Sequence, residues 1–278
     1  MNPKKDVPGA SSPDLLIPPL SAIDWPPFGG TVQRPVFDPI TTAFSWSNAW
    51  WLTEASLLAY HEPDAAVPLF AAAGFRAAAF SALESYQAYV IDDDRFIARV
   101  FRGTELGNLS LEQLRDWRAN SQVGLDAYPE FPGRVHRGFA RGALALHTDM
   151  KNYVSELVAQ LERPLWLTGH SQGGALATLS AALWPDCHAV YTVGAPRAAD
   201  ETFTTAFQTQ LWRICNQGDP VSRVPFELGT DYEHAGTSVW VSSPDNVVLC
   251  REPPEPLFFV NLLDHAPSAY SAIAWNHA

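Results

Sequence analysis

Apolar residues follow two rhythms along this chain, one helical and one of short buried strands. From Phe44 to Tyr60 they recur at helical spacing, with Trp50, Trp51, Ala55 and Leu58 on one face, and the spacing predicts a helix. Pro63 to Ala73 predicts a second, shorter helix opening at a proline. Gln87–Ile91 and Phe96–Phe101 are apolar runs on either side of Asp92-Asp93-Asp94-Arg95, which predicts a hairpin with an acidic turn. Ser110-Leu-Glu-Gln113 has the form of a capping box and predicts a short helix to about Trp117, with irregular chain over 118–133. Arg137 to Leu161 predicts a long helix whose apolar stripe includes Phe139, Ala143, Leu146, Met150, Val154 and Leu157. Beyond it, Leu165–Thr168, His188–Val193, Leu211–Cys215, Ser238–Ser242 and Val247–Cys250 predict strands. Glu201–Gln210 and His265–Trp275 predict helices. From about residue 96 strands and helices alternate, so the expected architecture is α/β: a mostly parallel central sheet with helices on both faces. Residues 1–40 hold nine of the 23 prolines and are expected to form an extended or partly disordered arm. The remainder, 41–278, is expected to be a single domain.

Chemistry concentrates at one turn. Leu165–Thr168 runs through Gly169-His170-Ser171-Gln172-Gly173 into an Ala/Leu-rich stretch of good helix propensity. Strand, sharp turn with serine at its tip, then helix is the context of a nucleophile elbow. Such a turn crowds the neighbours of the serine, and only small residues such as Gly169, Gly173 and Gly174 fit there. The bland alternative is a glycine-softened turn with an inert serine.

Composition narrows the partners. A net charge of −12 argues against nucleic acid and against electrostatic docking on anionic lipid, whose phosphates would be repelled. No run of about 18 apolar residues exists to span a membrane. The first residues carry two lysines without an apolar segment behind them. No secretory signal is therefore expected, and the protein reads as cytoplasmic or exported by a signal-independent route. Cys187, Cys215 and Cys250 lie beside apolar runs without Cys-x-x-Cys spacing. They read as buried thiols, with one disulfide as the alternative. No metal constellation or nucleotide-binding glycine loop is present, and no cofactor is expected.

A serine hydroxyl needs a base to take its proton, and the base needs an orienting acid. In this architecture their chain order is Ser, Asp/Glu, His. Asp219 follows the Leu211–Cys215 strand and is the best-placed acid. Asp186 lies too close to the elbow, and Asp200 stands where a helix cap is expected. His234, His265 and His277 remain as bases. His265 is favoured because it opens a helix from which a side chain can reach back over the sheet edge. The tetrahedral intermediate requires two amide donors: that of Gln172, after the nucleophile, and one from a loop after an earlier strand. Arg102-Gly103-Thr104 is such a loop, and Thr104 offers both an amide and a hydroxyl.

The chain resembles the class 3 lipase family, the fungal-lipase-like α/β hydrolases. The resemblance rests on Phe101-Arg-Gly-Thr104, Asp116-Trp117, Val135-His-Arg-Gly-Phe139, Gly169-His-Ser-Gln-Gly-Gly-Ala-Leu-Ala177, Gly194-Ala-Pro-Arg197, Asn216-Gln-Gly-Asp-Pro-Val-Ser-Arg-Val-Pro225, and the late Asp264-His265 with Tyr270. It implies an α/β-hydrolase fold and hydrolysis of acylglycerol esters at a lipid–water interface. It implies the triad Ser171, Asp219 and His265, with Thr104 and Gln172 at the oxyanion hole. Gln172 departs from the leucine more usual there, which leaves the backbone amide unaffected. The family also implies a helical lid. Glu105 to about Arg115, with Leu106, Leu109, Leu111 and Leu114, is the candidate, and a plain amphipathic surface helix is the alternative. A phospholipase A1 or short-chain esterase is the rival on the same scaffold, and an inactive binding module the remote one.

Overall fold

The computed structural model describes residues 27–30, 33–104, 124–161, 163–225, 231–243, 245–252 and 261–278. The expected capping-box helix, the candidate lid and Asp116-Trp117 lie outside these residues.

The described helices are α1 (Trp46–Leu58), α2 (Pro63–Ala72), α3 (Arg137–Leu161), α4 (Gln172–Leu183), α5 (Glu201–Ala206) and α6 (Pro267–His277). One eight-stranded sheet takes β1 (Arg76–Ala82), β2 (Tyr86–Asp92), β3 (Ile97–Phe101), β6 (Leu165–His170), β7 (Ala189–Val193), β8 (Leu211–Asn216), β9 (Thr237–Ser243) and β10 (Asn246–Cys250) in that spatial order. The strands from β3 to β9 pair in parallel, while β1, β2 and β10 extend the two ends antiparallel. Two three-residue strands, β4 (Leu125–Ala127) and β5 (Arg134–His136), form a separate ribbon.

The sheet is covered on both faces, and alternate residues of each strand feed opposite cores. Ala88 and Val90 of β2 face the layer of α3 and α4, with Phe139, Leu146, Met150 and Leu176. Tyr89 and Ile91 face the layer of α1, α2 and α6, with Trp50, Phe70, Tyr270 and Trp275. Burial on both faces explains why the parallel strands read as unbroken apolar runs. Phe28 and Phe37, within the proline-rich segment, are buried in the second core, where the Phe37 ring stacks on Phe96 at 4.0 Å. Buried Glu54 on α1 accepts from the Phe28 amide at 2.7 Å and from the Ser271 hydroxyl, fastening this segment and α6 to the same helix.

Several local expectations are corrected. The 87–101 hairpin is part of a three-stranded antiparallel end, because β1 pairs along β2 from Arg76↔Asp92 to Ala82↔Tyr86. The helix expected over 201–210 ends at Ala206, where Phe207 turns extended (φ −70°, ψ 119°). His265 does not open the last helix: it closes a short 3-10 turn, Leu262–His265, and α6 starts at Pro267. All three cysteines are free. None of the described helices is long and apolar enough to cross a membrane.

Candidate active site

The parallel register brings the carboxyl ends of the strands to one rim. Phe101 lies opposite Gly169, His170 opposite Val193, and Val193 opposite Ile214. Ligands bind at this rim in open α/β sheets.

Ser171 stands at the elbow between β6 and α4 with φ 57° and ψ −129°, and its amide is held by Val193 O at 2.9 Å. A serine adopts that conformation only where its surroundings impose it. The glycines show why the turn is possible. A Cβ on Gly169 would lie 2.3 Å from the Gly173 carbonyl carbon, and one on Gly173 would lie 2.1 Å from Phe101 O.

His265 Nε2 lies 3.0 Å from Ser171 Oγ, and His265 Nδ1 lies 2.8 Å from Asp219 Oδ2. Asp219 and His265 are fully buried, and Ser171 is 6% exposed. A carboxylate only accepts, so Nδ1 carries the proton and Nε2 is left to accept from the serine. Asp219 is held on both oxygens. Its Oδ1 accepts from the Val221 amide at 2.7 Å, and its Oδ2 also accepts from the Tyr270 hydroxyl at 2.6 Å. Tyr270 in turn accepts from the Asn216 amide at 3.1 Å. Burial, reinforced by Asp219, raises the Tyr270 phenol well above its ordinary range, so it stays a donor.

Of the other two histidines left open as bases, His234 is buried with Nε2 donating to Ser222 O at 2.8 Å. His277 stacks on Trp46 at 4.4 Å. Neither meets Ser171. Asp186 is exposed, and Asp200 caps α5 by accepting from the Phe203 amide at 3.1 Å.

Sequence reasoning passed over His170 and Tyr60. His265 O can only accept, so His170 Nε2 donates to it at 2.7 Å. His170 Nδ1 must then accept from the Tyr60 hydroxyl at 2.6 Å. Burial, and then His265 itself, pushes the His170 pKa well below the ordinary histidine value. The ring beside His265 therefore stays neutral. These contacts join residues 95 and 110 positions apart, and no local spacing signals them.

The loop after β3 faces the elbow. Arg102 anchors it through its amide to Gln87 O at 3.0 Å and through its guanidinium to Gln87 Oε1 at 2.7 Å and Glu62 Oε1 at 3.0 Å. Gly103 is wedged: a Cβ there would sit 2.1 Å from the Tyr60 hydroxyl oxygen and 2.7 Å from His170 O. Gly103→Ala is therefore expected to push Thr104 out of line and cut turnover of a soluble ester by about 10²-fold, the scale of a lost oxyanion donor. A wild-type rate for that variant would show that the loop does not take part. Thr104 and Gln172 give their backbone N–H to no backbone carbonyl among the described residues. For Gln172 this follows from its place as the first residue of α4, where helical N–H groups lack partners.

Residues 99–229 match the family model of class 3 lipases. That segment belongs to the class 3 lipase family. The Rhizomucor miehei lipase is 28% identical over 203 residues, covering 63% of this chain and 52% of the relative. A secreted mono- and diacylglycerol lipase of Fusarium solani is 31% identical over 138 residues, covering 46% and 40%. The chain thus spans about half the length of the curated relatives it matches. Among solved structures, a triacylglycerol lipase described as having a serine protease triad at its catalytic centre superposes with TM-score 0.66 at 24% identity, covering 80% of this chain and 94% of that one. The Rhizomucor miehei triacylglyceride lipase gives 0.63 at 23%, covering 78% and 90%. The class 3 lipase segment includes the end of β3 from Arg99, the elbow and Asp219. It ends before His265 and Tyr270, which the fold returns to the same rim.

Proposed function

We propose that this protein is a serine carboxylester hydrolase whose substrates are acylglycerol esters. One observation carries the reading: an unbroken relay from Ser171 to His265 to Asp219, at 3.0 and 2.8 Å, beside two amides that no backbone carbonyl among the described residues engages. His265 takes the Ser171 proton as Oγ attacks the ester carbonyl. The Thr104 and Gln172 amides receive the negative charge on the carbonyl oxygen. As the acyl–oxygen bond breaks, His265 returns the proton to the departing alcohol. Water then attacks the acyl-enzyme with His265 again as base, releasing the acid and restoring Ser171. Asp219 orients the imidazole and stabilises its charged form. Acylglycerols are favoured because the curated relatives are lipases and mono- and diacylglycerol lipases. No step calls for a metal or cofactor.

The test is hydrolysis of p-nitrophenyl esters from C2 to C16, with an active-site phosphonate used to tag Ser171. Release that grows with chain length, and faster fatty acid release from triolein than from phosphatidylcholine, is expected. Preference for phosphatidylcholine would make it a phospholipase. No ester turnover together with no phosphonate adduct at Ser171 would remove the hydrolase reading.

A further inference from the structure

The two residues whose amides would form the oxyanion hole are also joined by their side chains. Thr104 Oγ1 donates to Gln172 Oε1 at 2.5 Å. The amide oxygen only accepts, so the hydroxyl proton is committed to Gln172 and turned away from the hole. The rest of the loop is secured from below, at Arg102 by Gln87 and Glu62 and at Gly103 by Tyr60 and His170. Thr104 itself is exposed, and this bond is its one side-chain tie among the described residues. At the other end, Gln172 stands on the first turn of a helix whose start is fixed by the elbow.

We propose that the Gln172 side chain is a positioning residue: its carbonyl holds the Thr104 hydroxyl and thereby sets the spacing of the two amides that receive the oxyanion. The inference rests on the hydrolase reading above, and it gives work to a side chain that the sequence leaves indifferent. The strut matters most when charge appears on the carbonyl oxygen. Its loss should therefore lower kcat and leave KM nearly unchanged.

The experiment is a double-mutant cycle on p-nitrophenyl butyrate with Gln172→Met, Thr104→Val and the pair, each normalised by phosphonate titration of Ser171. Each single change should lower kcat about tenfold with KM within about twofold, and the pair should fall no further than either alone. Thr104→Ser keeps the hydroxyl and should restore most of kcat. Additive losses would overturn the strut, as would a Gln172→Met enzyme of wild-type kcat, because the hydroxyl would then act independently of Gln172. Either result leaves the hydrolase reading intact. That reading fails separately, with the strut, if the unmodified protein neither turns over esters nor takes the phosphonate.

Discussion

Ser171→Ala is expected to lower turnover of soluble p-nitrophenyl esters by about 10⁴–10⁶-fold while leaving the fold in place. The side chain is nearly buried and, among the described residues, its hydroxyl bonds to His265 alone, so alanine removes that hydrogen bond without opening a large cavity. The elbow φ of 57° is imposed by the glycines around it and not by the serine, so the turn should persist. A small residual rate is expected from the two amides, which still polarise a bound ester. Asp219→Asn should also be severe, by about 10⁴-fold, for a different reason. An amide at that position can donate to Nδ1, which moves the imidazole proton to Nε2 and leaves no acceptor for the serine. Circular dichroism and the thermal midpoint, measured with the rates, separate lost chemistry from lost fold. A Ser171→Ala protein that keeps more than about a hundredth of the activity would place the nucleophile elsewhere.

Acid should unfold the protein through histidines that the fold keeps neutral. Burial lowers His136 to about 4, with its Nδ1 accepting from the Phe139 amide at 3.2 Å. Burial likewise carries His170 and His234 well below 6.5, helped at His170 by His265 and at His234 by Arg213 and Arg197. The unfolded chain binds these protons near pH 6.5 and the folded one does not. The stability is therefore fully present above pH 6.5 and drains away as pH falls through about 4. For His136 the difference between 6.5 and about 4 corresponds to about 3 kcal/mol. The other two act in the same direction, against a total stability for ordinary domains of about 5–15 kcal/mol. Urea midpoints should thus fall steeply between pH 7 and 4.5, and less so in a His136→Phe variant. Equal midpoints at the two pH values would show that these rings are protonated in the folded state.

How much of this was legible depended on whether the signal was local. The elbow is local: an apolar run, a serine among glycines and an Ala/Leu run declare strand, turn and helix together. Arg137–Leu161 is local too, since its stripe repeats over a long helix. β1 is not. Arg76-Ala-Ala-Ala-Phe-Ser-Ala has little intrinsic strand preference, and pairing along β2 imposes the conformation. The ribbon strands, three residues each, are too short to show a period. The same division holds at the site. Chain order and strand ends single out Ser171, Asp219 and Thr104, and they favour His265 among three histidines. The Tyr60–His170 bond and the Gln172 strut belong to tertiary structure. Tyr270 entered only through the family resemblance, and its bond to Asp219 spans 51 positions.

α6 packs along α1 and brings Tyr270 to Asp219 and Trp275 to Trp50, so the segment made after all the strands completes both a core and the site. A ribosome therefore makes all of these strands, with α1 and α2 already laid on this face, before α6 can finish the layer. His265 and Tyr270 reach the rim only once the chain beyond β10 has left the exit tunnel. The nascent protein should be silent toward esters and sticky to chaperones until then, and activity should arrive in one step with the closing of that layer.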